Sequence, residues 1–444
     1  FKQKPANEIR LSLVGSEMCI RDRDIIGIGV IFPIIPDLLR EVGIHQNASA
    51  ALWGGLLSSS YAFMQFVFSP TIGTLSDIFG RRPVLLIASL LLALDYLVMG
   101  LAETIWILFI GRIVGGLAGG TISTATAYLA DISNAKEKKK NFAIIGAAFG
   151  LGFTIGPFIG GELSNPAARW EYFESTIFET YPYLLPCLTA GALSMFSLIF
   201  AYWKLPESLP KSKRVQSDGL GWNAKIGKSI SQSISMLKTG SIALIIWVTM
   251  LFIFGFTIMH AVFILYTGMD TDLGGLGYNE AQNGRIFAII GIAGIVTQGV
   301  LIGPLSRRFG PKKLLPISCL IAGLGLTLIP YTEADWALAQ LFVVVILIAV
   351  GNGIFQPTSS SLLTTTAKQE GINLGVVMGA QESVSSFARI LGPLTGGVVW
   401  TFTVSKDWPF DYHTSFHLCG IVMLVAAFLS LRIKVIPHDI LEES

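Results

Sequence analysis

Apolar residues run along this chain in blocks of roughly twenty, the length an α-helix needs to cross a bilayer core. The blocks fall at 24–40, 51–72, 83–102, 105–130, 142–163 and 182–204, then at 241–267, 284–305, 314–331, 337–363, 373–401 and 413–433. This pattern predicts an all-α membrane protein with twelve transmembrane helices in two pseudo-symmetric six-helix bundles. The longest hydrophilic stretch separates the sets. The expected division is therefore an N-terminal bundle at 24–205, a cytoplasmic linker at 206–240, a C-terminal bundle at 241–433 and a cytoplasmic tail at 434–444. Residues 1–23 fit this scheme poorly, because Glu17, Arg21, Asp22 and Arg23 stand where the first helix should begin apolar. The stretch LSLVGSEMCIRDR reads as translated adaptor sequence, the alternative being a short charged surface arm; 1–23 are left out of the functional reading, and in either case the first helix reads as truncated.

The polar gaps set the orientation. One set of loops carries Arg81 and Arg82, then Lys136, Lys138, Lys139 and Lys140, the basic linker, Arg307, Arg308, Lys312 and Lys313, and finally Arg432 and Lys434. The alternate gaps carry mainly acids, among them Glu171, Glu174, Glu179, Asp270, Asp272, Glu333, Asp335, Asp407 and Asp411. Basic loops stay in the cytoplasm, which places both termini there. Composition agrees: the chain is 52% hydrophobic and 14% charged, with a mean hydropathy of +0.64. A net charge of +2 gives no reason to expect a nucleic-acid partner. Cys19, Cys187, Cys319 and Cys419 are scattered singly, without metal-ligand or redox spacing. No serine–histidine pair, HExxH, Walker loop or cofactor fingerprint is present, so neither an enzyme nor a cofactor is expected.

Two motifs occur twice. GTLSDIFGRR (Gly73 to Arg82) returns as GPLSRRFGPKK (Gly303 to Lys313), and GPFIGG (Gly156 to Gly161) returns as GPLTGG (Gly392 to Gly397). Both offsets are close to half the chain, so the protein is a duplication, the layout of a secondary transporter. In the first motif, Asp77 stands between two helix ends with Arg81 and Arg82 following, and Gly73 and Gly80 allow a tight turn. Such a cluster can lock two helices together and release them, or simply mark topology. Its second copy has Arg307 where the acid would stand. In the other motif, Gly152, Gly156 and Gly160 bare one helix face, Gly161 follows, and Pro157 removes a backbone hydrogen bond.

The string GxLSDxxGRRP resembles the loop signature of the major facilitator superfamily. Gly152 to Gly161 is similar to the fifth-helix motif of its proton-driven antiporter branch. DIIGIGVIFPIIPDLLRE from Asp24, LDYLVMG around Asp95 and FIGRIVGGLAGGTISTATAYLADIS around Arg112 resemble tetracycline-resistance efflux proteins across nearly the whole first half. The second half departs: LLPISCLIAGLGLTL lacks the acid usual in the ninth helix, and RIFAIIGIAGIVTQGVLIGP lacks the histidine of some members. YPYLLPCL and SSFARILGP look like other drug exporters. The resemblance implies a proton-coupled exporter of a small amphipathic molecule, working by alternating access. Its implied partners are that molecule, protons and the bilayer of the plasma (inner) membrane, and it implies a monomer. The alternative is a solute uptake symporter or uniporter, since Pro206-Glu207-Ser208 resembles sugar porters. A receptor or enzyme is the remote alternative.

Ionisable side chains within spans are costly and are retained for function. Asp24, Asp95, Arg112, Glu382 and Arg389 qualify, with His260 a weaker candidate. At 1.5 Å per residue, Asp95 lies roughly 18 Å from one end of its helix and Arg112 about 10 Å from the opposite end of the next, at similar depth. Glu382 and Arg389 are two turns apart on one face. Each also has a simpler reading as a static packing pair. Asp24 is the first choice for the coupling acid and Arg112 for the group that sets its proton affinity. Tyr61, Gln65, Gln298, Asn352 and Gln356 are candidate substrate contacts.

Overall fold

The computed structural model describes residues 26, 27, 29–132, 151, 152, 154–210, 240–333, 337–372 and 374–434, with isolated positions 212, 214, 235, 236 and 238. Residues 1–25, including Asp24, lie outside the described set, as do most of the 206–240 linker and the end of the chain. Among the described residues the regular structure is helical, without strands. After a short turn at Phe32–Ile34 come α1 (Ile35–Glu41), α2 (Asn47–Phe79), α3 (Arg81–Gly100), α4 (Ile105–Gly119) and α5 (Ile122–Ile132). Then follow α6 (residues 154–162), α7 (Leu184–Lys204), α8 (Gly240–Thr267), α9 (Glu280–Val296), α10 (Ile302–Leu328), α11 (Ala337–Gln369), α12 (Leu374–Thr403) and α13 (His413–Leu431).

Six helical runs among the described residues are long and apolar enough to cross a bilayer: Arg81–Gly100, Leu184–Lys204, Gly240–Thr267, Glu280–Tyr331, Ala339–Gln369 and His413–Leu431. Unlike those of a soluble helix, their outer faces are apolar. On α3, Ile87, Leu90, Leu94 and Leu97 form an exposed stripe, whereas Ser89 and Asp95 are buried. On α13, Ile421, Leu424, Val425 and Phe428 face out, and Ser415, Cys419, Gly420 and Ala426 face in. Large apolar side chains on the outer faces suit lipid, and the small and polar residues among the inward ones allow close backbone approach.

Three boundaries differ from the hydropathy pattern. The predicted span 105–130 breaks between Gly119 and Ile122, where consecutive glycines and Thr121, whose hydroxyl bonds back to the Ala118 carbonyl, interrupt the helix. The helical run from Glu280 to Tyr331 holds two predicted spans, 284–305 and 314–331, and turns at Gly310 (φ +71°). Between α9 and α10 lies a π-helical turn, Thr297–Leu301.

The described residues group into two compact units. One comprises those within Phe1–His45, Ser60–Trp222 and Tyr278–Gly291; the other comprises those within Gln46–Ser59, Asn223–Gly277 and Ile292–Ser444. In the first, α3 packs along α7 and α4. In the second, α10 packs on α11 and α13, and α8 packs on α12 and α13. The duplication is visible in the backbone: Gly80 (φ +107°) and Gly310 (φ +71°) occupy the same position in the two copies of the loop motif. Side chains are strained in that left-handed region, which explains glycine at both.

Candidate functional site

The loop motif is a charge cluster at the α2–α3 junction. Gly80 reverses the chain, so α3 begins with free backbone N–H groups. Glu207, distant in sequence, accepts from the N–H of Arg81 at 2.9 Å and of Arg82 at 3.3 Å, placing a carboxylate on a helix N-terminus. A Cβ at Gly80 would run into that carboxylate, lying 2.8 Å from its Cδ. The Arg81 guanidinium lies 2.6 Å from Asp77 and 3.4 Å from Asp131, and also donates to Ser76. Arg82 points elsewhere, donating to the Tyr202 carbonyl at 2.6 Å with its guanidinium over the Tyr202 ring. Gly73 supplies the carbonyl that holds Ser76. Asp131 and Glu207 were not singled out by sequence spacing for this junction, because their partners are far along the chain. In the second copy, Arg307 folds back onto its own helix, at 3.4 Å from the Gly303 carbonyl.

The glycine motif presents two packing faces. On one, Gly152, Gly156 and Gly160 meet the first helix: a Cβ at Gly156 would lie 2.5 Å from the Ile26 carbonyl, and one at Gly160 would strike that of Val30. On the other, Pro157 and Gly161 meet the start of α9, where a Cβ at Gly284 would lie 2.5 Å from the Pro157 carbonyl and Gly161 abuts Glu280. Glu162, the next residue, lies 2.5 Å from Arg285 of α9 and 3.6 Å from Arg169. The second copy repeats the arrangement. Gly392 and Gly396 meet α8 at Thr257 and Ile258, while Gly397 meets Ala51 and the Pro393 carbonyl approaches Gly55 of α2. Hydroxyl bonds from Thr401 to the Ala48 carbonyl (2.7 Å) and from Ser59 to that of Ile390 (2.6 Å) accompany it.

Buried charge lies where α3 meets α4. Asp95 is 1% exposed and Arg112 is 6% exposed. Gly111 and Gly115 make room for the acid: a Cβ at Gly111 would lie 2.8 Å from Asp95 Oδ1, and one at Gly115 would lie 2.8 Å from Asp95 Cγ. Among the described residues Asp95 Oδ1 and Arg112 Nε are buried without hydrogen-bond partners. The Arg112 guanidinium lies 5.5 Å from the centre of the Tyr61 ring, a cation–π distance. Gln65, one turn on, donates to the Gly119 carbonyl at 3.1 Å. The structure thus gathers Tyr61, Gln65, Asp95 and Arg112 around α4. It leaves Asp24 undescribed.

In the other unit, Arg389 bonds Glu382 at 2.9 Å along α12. Gln298 occupies the π-helical turn, and Gln356 is exposed one turn beyond Asn352 on α11. His260 stacks edge-on against Phe256. Cys187, Cys319 and Cys419 are buried free thiols. Among the described residues no group of three or more His, Cys, Asp and Glu is arranged to hold a metal ion.

Apolar-faced helices, glycine seams and charges buried at membrane depth define an integral membrane transporter. A family model for the Major Facilitator Superfamily matches residues 24–393 and 276–442, and the chain belongs to that superfamily. Its relatives are transporters and not enzymes. The chain is 29% identical to the class H tetracycline resistance protein of Pasteurella multocida, over 86% of this chain and 87% of that one. It is 28% identical to the class B protein of Escherichia coli (91% and 93% covered) and 27% identical to multidrug resistance protein 2 of Bacillus subtilis (93% and 93%). Among solved structures it resembles the human organic anion transporter MFSD10 (TETRAN), with a TM-score of 0.69, 23% identity and 96% of this chain and 100% of that chain covered. A D-xylose-proton symporter gives a TM-score of 0.70 at 19% identity, with 96% and 98% covered. These two likenesses concern the fold alone.

Proposed function

We propose that the protein is a proton-driven exporter of small amphipathic molecules, built of twelve transmembrane helices in two six-helix bundles that rock to give alternating access. The observation that carries this reading is the pair of opposite charges, Asp95 and Arg112, buried on adjacent membrane helices with polar atoms unpartnered among the described residues. Such groups are expensive in a membrane and are kept for ion or substrate coupling. Their balance changes when a proton or a ligand arrives. Asp24, at the start of the predicted span 24–40, is the first choice for the coupling acid, with Asp95 next. Tyr61 and Gln65, already against Arg112 and α4, are the first substrate contacts on this side.

The glycine seams act as the outer seal, closing 152–161 on α9 and 392–397 on α2. The Asp77–Arg81–Asp131 cluster with Glu207 acts as the cytoplasmic lock. Curated relatives named for tetracycline and multidrug resistance support export over uptake. The basic loops support an orientation in the plasma (inner) membrane with both termini on the cytoplasmic side, and the chain is taken to work as a monomer.

Efflux of tetracycline and of a panel of fluorescent cations from an efflux-deficient host tests the direction and the energy source. A protonophore should abolish efflux that the expressed chain confers. Efflux that continues under full uncoupling would contradict proton drive, and substrate accumulation in place of efflux would favour an uptake carrier.

A further inference from the structure

Glu382 and Arg389 differ from the buried charges on α3 and α4. Arg389 stands at the middle of the 30-residue α12, and Glu382 lies about 12 Å from the start of that helix at 1.5 Å per residue. Both are open: their side chains are 34% and 64% exposed. At that depth a guanidinium does not face lipid, so this side of α12 borders water. The polar side is continuous. Gly379, Glu382, Ser386 and Arg389 follow helical spacing on one face, and a Cβ at Gly379 would meet nothing within 4 Å. Among the described residues the Arg389 guanidinium finds one acceptor, Glu382 Oε1, and four of its five N–H groups remain for a ligand. Glu382 Oε2 is likewise outside that bond.

From this geometry we infer that the Glu382–Arg389 pair is a two-point receptor for a zwitterionic substrate whose ammonium and carboxylate are neighbouring groups. The two heads already touch, so such a ligand inserts with a small opening: its ammonium goes to Glu382 and its carboxylate goes bidentate to Arg389. A ligand with one charge would break the pair and leave one arm unmatched, so it loses one charge-assisted contact for the one it gains. A zwitterion replaces the ion pair charge for charge.

This assignment rests on the transporter reading and also gives it a direction. A proton on Glu382 removes the ammonium arm, so proton and substrate compete for one carboxylate, the linkage an antiporter needs. Few other ionisable groups bear on that carboxylate. Of the elements packed on α12, α8 carries His260 and Tyr266, α11 carries Lys368 at its end, α13 carries His413, His417 and Cys419, and residues 47–59 of α2 carry none. On α12 itself the only other charge is Arg389.

The test uses the purified full chain in detergent and three matched fluorescent probes: Nε-dansyl-lysine (a zwitterion), its methyl ester (a cation) and its Nα-acetyl derivative (an anion). The zwitterion should bind about tenfold or more tighter than either derivative. Glu382→Gln should reduce zwitterion affinity to that of the acetyl derivative without weakening binding of the acetyl derivative itself. Arg389→Gln should reduce it to that of the ester and spare the ester. The spared probe in each case shows that the variant is folded. A zwitterion bound no better than both derivatives, or variants that weaken all three probes equally, would overturn the proposal. No gradient is involved, so loss of efflux in cells with this binding pattern intact would count against export and not against the receptor.

Discussion

Asp95 shows how a single side chain can determine the sequence around it. Its carboxylate fills the space where Gly111 and Gly115 lack side chains, so the four-residue glycine spacing on α4 is a seat for an acid as well as a packing seam. Gly115→Ala puts a methyl group onto that carboxylate, and we expect a loss of about 1–3 kcal/mol, read as a lower Tm in detergent. Gly294→Ala is the control, since a Cβ there meets nothing within 4 Å, and its Tm should stay near wild type. Equal effects would show that the Asp95 seat is not specific. Coupling is tested separately. Asp24→Asn keeps size and hydrogen bonding but cannot release a proton near neutral pH. It should abolish uphill efflux while leaving substrate binding, whose remaining dependence on pH is that of Glu382. Arg112→Lys keeps charge but loses the planar fork that lies over Tyr61, and should lower activity as well. A fully coupled Asp24→Asn protein would move the proton site to Asp95 or Glu382.

Among the elements, the glycine helices and the loop motif were legible in the sequence for different reasons. The spacing of Gly152, Gly156 and Gly160 states a bare face directly, and the structure puts the first helix against it. The second face, towards α9, could not be read, because its partners Gly284 and Glu280 sit in a separate apolar block. The same limit hid Glu207 and Asp131: local periodicity says nothing about a carboxylate brought from far along the chain onto the start of α3. The break at Gly119–Thr121 was masked by uninterrupted hydropathy, and the π-helical turn at Thr297–Leu301 carries no compositional signature. The junction now separates two acids. Asp77→Asn removes one of the two carboxylates at Arg81, leaving Asp131, and should shift the inward/outward population with near-normal expression. Glu207→Gln weakens the carboxylate–helix contact at both backbone N–H groups, an effect worth about 0.3–2 kcal/mol, and should lower Tm as well as activity. Site-directed accessibility labelling together with thermal unfolding distinguishes them. Wild-type labelling in Asp77→Asn would reduce that residue to a passive loop acid.

At the scale of the whole molecule, the duplication is the strongest regularity. Gly80 and Gly310 share a backbone conformation, and the glycine seams of 152–161 and 392–397 contact corresponding helices within their own units. The copies have diverged in charge: Asp77 with Arg81 in one, Arg307 folded onto its own helix in the other. Intramembrane charge is divided in the same way, buried on α3 and α4 but open on α12. An exporter driven by protons follows if these groups exchange protons for substrate. The most direct measurement is proton movement in proteoliposomes holding the purified chain and a pH-sensitive dye, with no other energy source. Adding transported substrate to one side should drive protons in the opposite direction across the membrane, and Asp24→Asn should abolish that flux. Substrate movement with no accompanying proton flux, or protons moving in the same direction as the substrate, would contradict the account.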